Sequence, residues 1–295
     1  MRAIAILNAK AGLVLQHGEG IADIVRDGFR AAGRSIDVTS VAPEDIEAAI
    51  DKAAARDDID TLIIGGGDGT QSLAAAKLAG KDIALGVLPF GTVNLLGRDL
   101  GIPLEIEDAV KALAAAEPVC IDLAEVNGRL FHSLLGLGFF ARMASERQKA
   151  RHQFPFARSL AFVVALGRAV SRIGAMEVTF ETGGKRVTRH SSAILITNNS
   201  YREQPIRRHR LDEGLIEINI VRGARQATLL RAGFDLVAGR WRRGDKIDQI
   251  PVREIAITAR RSKIRASLDG EEVMLDSPLK LRIRPQVLTV LKPRG

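Results

Sequence analysis

Apolar and polar positions alternate in two distinct ways along the chain. In the first 125 residues short apolar runs are separated by segments with helical spacing. Residues 3–7 form a buried-strand run, and residues 21–32 carry apolar side chains on one helical face before stopping at Gly33. Residues 35–41 read as a second strand. Pro43, Glu44 and Asp45 open a second helix to about residue 56, its acidic first turn matched to the helix dipole. Residues 61–64 make a third strand, 71–78 a third helix ended by Gly80, and 83–88 a fourth strand. This alternation predicts βαβ units around a parallel sheet.

Beyond residue 125 strand signals take over, at 130–135, 177–182, 192–197, 215–221, 254–258, 264–268 and 279–281. Turn residues such as Gly183-Gly184 and Asp269-Gly270 separate many of them. A helical stretch over roughly 141–173 interrupts the series. The expectation is an α/β domain over 1–125 and a β-rich sandwich or barrel over 126–295, whose last strand is free to return to the first domain.

Composition narrows the class. The longest apolar runs, 134–140 and 160–166, fall well short of the ~20 residues that cross a bilayer. At the N-terminus only residues 4–7 are strongly apolar before Asn8, which reads as a strand and not a signal peptide. Cys120 is the only cysteine, and the five histidines have no metal-ligand spacing. A cytoplasmic protein is expected. The net charge of +8 conceals a split. Residues 1–125 carry 11 Lys and Arg against 20 Asp and Glu, a net of −9, while 126–295 carry 32 against 15, a net of +17. Such a basic half calls for an anionic partner, nucleic acid or a membrane surface. One Trp and one Tyr offer little stacking platform, which argues against nucleic acid.

Three clusters carry candidate chemistry. In the first, Ile63-Ile64 run into Gly65-Gly66-Gly67-Asp68-Gly69-Thr70 and then a helix. Glycines let backbone N–H groups approach a ligand, and the helix N-terminus favours phosphate; a plain strand-to-helix turn is the simpler alternative. Neither the Walker A ending nor the third dinucleotide glycine is present. Asp68 would repel phosphate unless a cation bridged them, which points to Mg²⁺ with a nucleotide. The second cluster is Pro89-Phe90-Gly91-Thr92-Val93-Asn94 with Arg98, placed after the fourth strand where parallel sheets bind ligands. The third, Asp269-Gly270-Glu271-Glu272, has the pattern of a hairpin turn.

Taken in order, Asn8 to Gly12, Gly66 to Thr70, Pro89 to Asn94 and Asp269 to Glu271 resemble the diacylglycerol kinase catalytic-domain family, which includes bacterial soluble lipid kinases and is related to sphingosine and ceramide kinases. The resemblance implies an N-terminal nucleotide domain like that of NAD kinases and phosphofructokinases, and a C-terminal β-sandwich. It implies an ATP-dependent transfer of phosphate to a lipid hydroxyl, with diacylglycerol as default acceptor. A sphingoid base or ceramide is the alternative acceptor, and a non-catalytic lipid-binding protein the alternative of another class. By position, Asn8, Ser40, Gly65, Gly66, Gly67, Asp68, Gly69, Thr70, Gly91, Thr92 and Asn94 would hold ATP. Asp68 would act through Mg²⁺, and Asp269 or Glu271 would be the general base. Asp212 and Glu213, before Gly214, resemble the family's second metal site, with Glu in place of an Asp. Gln71-Ser72 replaces the usual Asn-Glu, and Phe131-His132-Ser133 lacks an Asn often found there.

The basic half fits a peripheral association with the inner face of an anionic membrane, through Arg207-Arg208-His209-Arg210, Arg240 with Arg242-Arg243, and Arg260-Arg261-Lys263-Arg265. A homodimer is compatible with this reading.

Overall fold

The computed structural model describes residues 2–12, 20–153, 164, 167–169, 174–201, 208, 210–221 and 247–294. The chain divides into two compact units, Met1–Leu123 with Pro285–Gly295, and Ala124–Arg284.

The first unit is built on strands β1 (Ala3–Asn8), β2 (Ile36–Val41), β3 (Thr61–Gly66) and β4 (Ala84–Pro89). They lie in the order β2-β1-β3-β4 with every pairing parallel. Every residue of β3 and β4 is buried, as expected of strands covered on both faces. Helix α1 (Gly20–Ala31) buries Ile21, Val25 and Phe29, a stripe of fourth residues. Full burial of a side chain such as Phe29 stabilises the fold by roughly 1.5–3 kcal/mol. The expected second helix begins with a 3₁₀ turn at Pro43–Asp45 and continues as α2 (Ile46–Ala54). Helix α3 (Asp68–Leu78) starts three residues before the expected 71, so Asp68 lies in its first turn. Two short helices, α4 (Leu95–Leu100) and α5 (Ile106–Ala114), add to the expected set. Gly28 of α1 lets α5 pack closely, since a Cβ there would stand 2.4 Å from Val110 Cγ1.

Strand β5 (Glu117–Val126) leads into the second unit. The single strand expected over 130–135 is two, β6 (Arg129–Phe131) and β7 (Leu134–Gly138), broken at His132 and Ser133. Helix α6 (Phe139–Gln153) begins the expected helical insert, most of the rest of which lies outside the described residues. There follow β8 (Met176–Thr182), β9 (Lys185–Ser191), β10 (Ala193–Asn198), β11 (Ile216–Val221), β12 (Ile247–Val252), β13 (Glu254–Ala259), β14 (Lys263–Leu268), β15 (Glu271–Asp276) and β16 (Leu279–Lys292).

Two antiparallel layers form the sandwich. One has β9-β8-β13 and the start of β16, and the other is β12-β11-β10-β7-β14-β15. The core draws Phe180, Ile257 and Leu281 from the first layer and Leu135, Ile194, Ile218 and Ala266 from the second. The end of β16 belongs to the first unit, where Val290 pairs in parallel with Leu85 of β4. No helix of the described residues is long and apolar enough to cross a membrane.

Candidate functional site

All the residues expected to hold nucleotide gather at one end of the first unit's sheet. Asn8 ends β1, Ser40 stands beside Leu7 near the end of β2, Gly65 and Gly66 end β3, and Gly91, Thr92 and Asn94 follow β4. This is the C-terminal edge, where loops of a parallel sheet form ligand sites. Gly65 and Gly66 admit no side chain. A Cβ on Gly65 would lie 2.4 Å from the Phe90 ring, and one on Gly66 2.7 Å from Thr70 Cβ. Gly91 passes so close to the other loop that its Cβ would lie 2.8 Å from Gly67 Cα.

Asp68 does work that its residue type did not announce. Its carboxylate accepts hydrogen bonds from the backbone N–H groups of Asn94 (3.1 Å) and Leu95 (2.7 Å), so it ties the two glycine loops together. Asn94 completes the brace. It sits at φ 52°, accepts from Gly91 N (2.8 Å), and donates to Pro89 O (3.2 Å) and Gly91 O (2.8 Å). Gln71 is buried and its Nε2 donates to Gly66 O (3.1 Å). Asn8 Nδ2 reaches Thr70 Oγ1 at 3.5 Å. Thr92 is exposed, as is Arg98, whose Nε donates to Val93 O (2.7 Å).

A magnesium nucleotide asks for a hard oxygen donor and for backbone that can approach its phosphates. Asp68 supplies the carboxylate, and the glycine loops leave backbone within reach of phosphate. A hard cation that keeps waters and phosphate oxygens as its other ligands suits such a site. These residues fit the group.

The second unit holds a buried polar cluster around Asp269. Asp269 sits at φ 47° in the turn between β14 and β15. Its Oδ1 accepts from Ser133 N (2.9 Å) and Leu134 N (3.0 Å), and its Oδ2 from His132 N (3.0 Å). These bonds explain why the expected strand breaks at 132–133: the amides turn to the carboxylate. The His132 ring is buried with Nε2 3.6 Å from Asp269 Oδ2. Glu271, the other candidate base, is exposed at the start of β15.

Arg208 turns out to be an interior residue, only 1% exposed, which corrects its expected place in a surface cation cluster. Its Nη1 donates to His132 O and to Asn198 O, and its guanidinium lies 5.6 Å from the Tyr201 ring centroid. Asn198 Nδ2 also donates to His132 O (3.0 Å), and Ser133 Oγ meets Tyr201 Oη at 2.8 Å. Asn198, Tyr201 and Arg208 were not singled out from the sequence as site residues. The only signal was a polar run, Asn198-Asn199-Ser200, closing an apolar strand.

At the resembled second metal site, Glu213 is half-buried and accepts from Ser200 N (2.9 Å), while its own N–H donates to Asn199 Oδ1 (3.2 Å). Asp212 pairs with Arg210 at 3.0 Å. Among the described residues no three His, Cys, Asp or Glu side chains converge as a metal site. Arg260, Arg261 and Lys263 are exposed, as is Arg265, which pairs with Glu272 (3.0 Å). Arg207, His209, Arg240, Arg242 and Arg243 lie outside the described residues. A surface cavity of about 870 Å³ in this unit is lined by Glu125, Lys185, Lys280 and Arg282 among others, and includes none of the expected site residues.

With this geometry in hand, comparison with known proteins is decisive about kinship. The diacylglycerol kinase catalytic domain matches residues 2–126, and the YegS C-terminal NAD kinase beta sandwich-like domain matches residues 135–292. The chain belongs to the diacylglycerol kinase catalytic-domain family. Proteins of Yersinia pestis (strain Pestoides F) and Yersinia pseudotuberculosis serotype O:1b (strain IP 31758), each named "Probable lipid kinase YegS-like", are 41% identical to it over 93 residues. That stretch covers 30% of this chain and 31% of those relatives. A crystal structure from Bacillus anthracis str. Sterne matches with a TM-score of 0.78 at 20% identity, over 99% of this chain and 97% of that one. A second from the same organism, a diacylglycerol kinase by name, has a TM-score of 0.70 at 18% identity, over 99% and 96%. Both likenesses bear out the fold, an α/β unit with a mostly parallel sheet followed by an antiparallel sandwich.

Proposed function

We propose that this protein transfers the γ-phosphate of ATP to a hydroxyl of a membrane lipid, with diacylglycerol as the default acceptor. The loops at the ends of β3 and β4 would hold the nucleotide, and Mg²⁺ near Asp68 would supply charge neutralisation on the phosphates. Phosphoryl transfer asks the protein mainly to position groups and neutralise charge, so these loops and one carboxylate base suffice. Asp269 fills that last role better than Glu271, because its carboxylate is held in place by three amides while Glu271 is exposed.

The observation that carries the lipid half of this reading is a graded face on the six-stranded layer. Residues two apart on a strand share a face. At one end Ala193 and Val221 pack with Phe139, Phe140 and Met143 of α6 in an apolar cluster. Next along the strands come Asn219, Leu195, Gly136 and Ser267, which stand in register. Then come Glu217, Thr197 and Leu134, and Leu134 O accepts from Asp269 N (2.8 Å). A face that runs from apolar to polar and ends beside the base suits an amphiphile with its hydroxyl at Asp269.

We place the reaction at an anionic membrane on the cytoplasmic side, with exposed cations such as Arg260, Arg261 and Lys263 drawn to the lipid headgroups. The test is transfer of labelled γ-phosphate, with Mg²⁺, onto diacylglycerol, monoacylglycerol, ceramide and sphingosine in mixed micelles. Labelled diacylglycerol is the expected product, and Asp269→Asn should cut turnover roughly 10²–10⁴-fold, the range of a general base. Labelled ceramide or sphingosine alone would move the acceptor to a sphingolipid. No labelled lipid with ATP still bound would refute the kinase reading.

A further inference from the structure

Arg208 and Asp269 are both buried, and one peptide group links them. The peptide joining His132 to Ser133 presents its carbonyl to Arg208 Nη1 and to Asn198 Nδ2 (3.0 Å). The N–H of the same peptide, that of Ser133, donates to Asp269 Oδ1 at 2.9 Å. A guanidinium on the oxygen and a carboxylate on the hydrogen polarise the peptide in the same sense. Hydrogen bonds in series strengthen one another in this arrangement, by about 10–30% per bond. The neighbouring N–H groups of His132 (3.0 Å) and Leu134 (3.0 Å) point at the same carboxylate, so a shift of this one segment moves every amide described on it.

The rest of the surroundings fix the segment from the Arg208 side. Asn198 O accepts from Arg208 Nη1 (2.9 Å), and Asn198 N donates to Ser133 O (2.9 Å). Tyr201 lies under the guanidinium and holds Ser133 Oγ at 2.8 Å. Arg208 therefore grips residues 132–133 through backbone and through Tyr201, while Asp269 is gripped by those same residues. A buried guanidinium is expensive to desolvate and is retained where it is fully engaged.

We infer that Arg208 is a positioning residue for Asp269: acting through the His132–Ser133 peptide, it sets where the carboxylate stands against the acceptor hydroxyl. Arg208 does not touch substrate in this role. The kinetic arm of the inference rests on the kinase reading above, and the stability arm does not.

The experiment is a double-mutant cycle with Arg208→Met, Arg208→Lys and Asp269→Asn, read on the full chain by phosphoryl transfer and by thermal melting. Arg208→Met should lower kcat about 10²-fold, the scale of a small misplacement of a reacting group, with KM for ATP changed less than about twofold. Arg208→Lys, which keeps the cation but gathers its donors on a single nitrogen, should recover part of that loss. In the Asp269→Asn background Arg208→Met should add less than about a threefold further loss, because the group it positions is already gone. Full kcat in Arg208→Met, or a loss that multiplies undiminished in the double mutant, would overturn the inference. Should Arg208→Met fail to fold, Arg208→Lys runs the same cycle, with a smaller loss that must also vanish against Asp269→Asn. If the wild type transfers no phosphate to any lipid, the kinase reading fails and melting decides this one. Tm losses smaller in the double mutant than the sum of the two singles support the peptide link, and strictly additive losses overturn it.

Discussion

Replacing Asp68 by Ala separates two roles for this carboxylate. In the structure it accepts from Asn94 N at 3.1 Å and Leu95 N at 2.7 Å, joining the loop after β3 to the loop after β4. Each hydrogen bond to a charged acceptor contributes roughly 1.5–3 kcal/mol. Asp68 is half-buried, so water rehydrates part of what is lost, and about 2–3 kcal/mol is the expected cost for the pair. At roughly 3 °C per kcal/mol for a domain of this size, the first unit should melt about 6–9 °C lower. Asp68→Asn retains one acceptor oxygen and should lose about half as much. Calorimetry without nucleotide or metal reads this directly. A carboxylate serving only through Mg²⁺ would leave the apo protein untouched. An Asp68→Ala melting point within about 2 °C of wild type would therefore refute the loop-tying account.

Gly91→Ala puts a Cβ 2.8 Å from Gly67 Cα, a backbone atom that a side-chain rotation cannot move. It should cost about 1–3 kcal/mol and weaken ATP binding by calorimetric titration; unaltered affinity would dissociate the loop contact from the nucleotide site. At Asn94, with φ 52°, Gly should be tolerated better than Ala by about 1 kcal/mol in urea unfolding, and equal losses would show that its backbone conformation is irrelevant. Glu125 tests pH dependence. Burial pushes its carboxyl up, but hydrogen bonds from Arg282 (3.0 and 2.9 Å) and Arg284 (2.9 Å) more than offset this and hold it below the usual carboxylate range. Its stabilisation is therefore complete above the unfolded carboxyl's pKa near 4.5 and is lost as pH falls through the lower folded value. Glu125→Gln should remove roughly 1–2 kcal/mol at pH 7 and flatten the acid side of the stability curve, and an unchanged acid slope would argue against it.

The strands legible in the sequence are those buried on both faces or packed on the core. β1, β3 and β4 stand out because nearly every position is apolar or glycine, β10 for its run Ala193 to Ile196, and β11 because Ile216, Ile218 and Ile220 alternate with Glu217 and Asn219. β9 was invisible, since six of its seven residues are exposed and show no alternation. The glycine loops were legible from composition, because close backbone approach demands glycine. The loop-tying role of Asp68 was not, because its partners are amides, which every residue but proline carries. The interior place of Arg208 is hidden in the sequence for a related reason. Within a run of cations it looked like its neighbours, and the carbonyl that holds it belongs to His132, 76 positions away. Asp269 reads from its own pattern as a turn residue and only through the resemblance as a candidate base; that three amides from the β6–β7 break make it a buried anchor is not legible in either.

Strand β16 has a consequence for the order of events on the ribosome. Its closing residues, with Leu288 and Val290 fully buried, belong to the same unit as residues 1–123, and Gly80 N donates to Val287 O. The first unit thus lacks one of its interior strands until the far end of the chain has been translated. At typical elongation rates the roughly 160 intervening residues take about 10–30 s to make. Through that interval the edge of β4 that will receive β16 has no strand from this chain to pair with, and the amino-terminal half must wait for the carboxy-terminal half before its own sheet is whole.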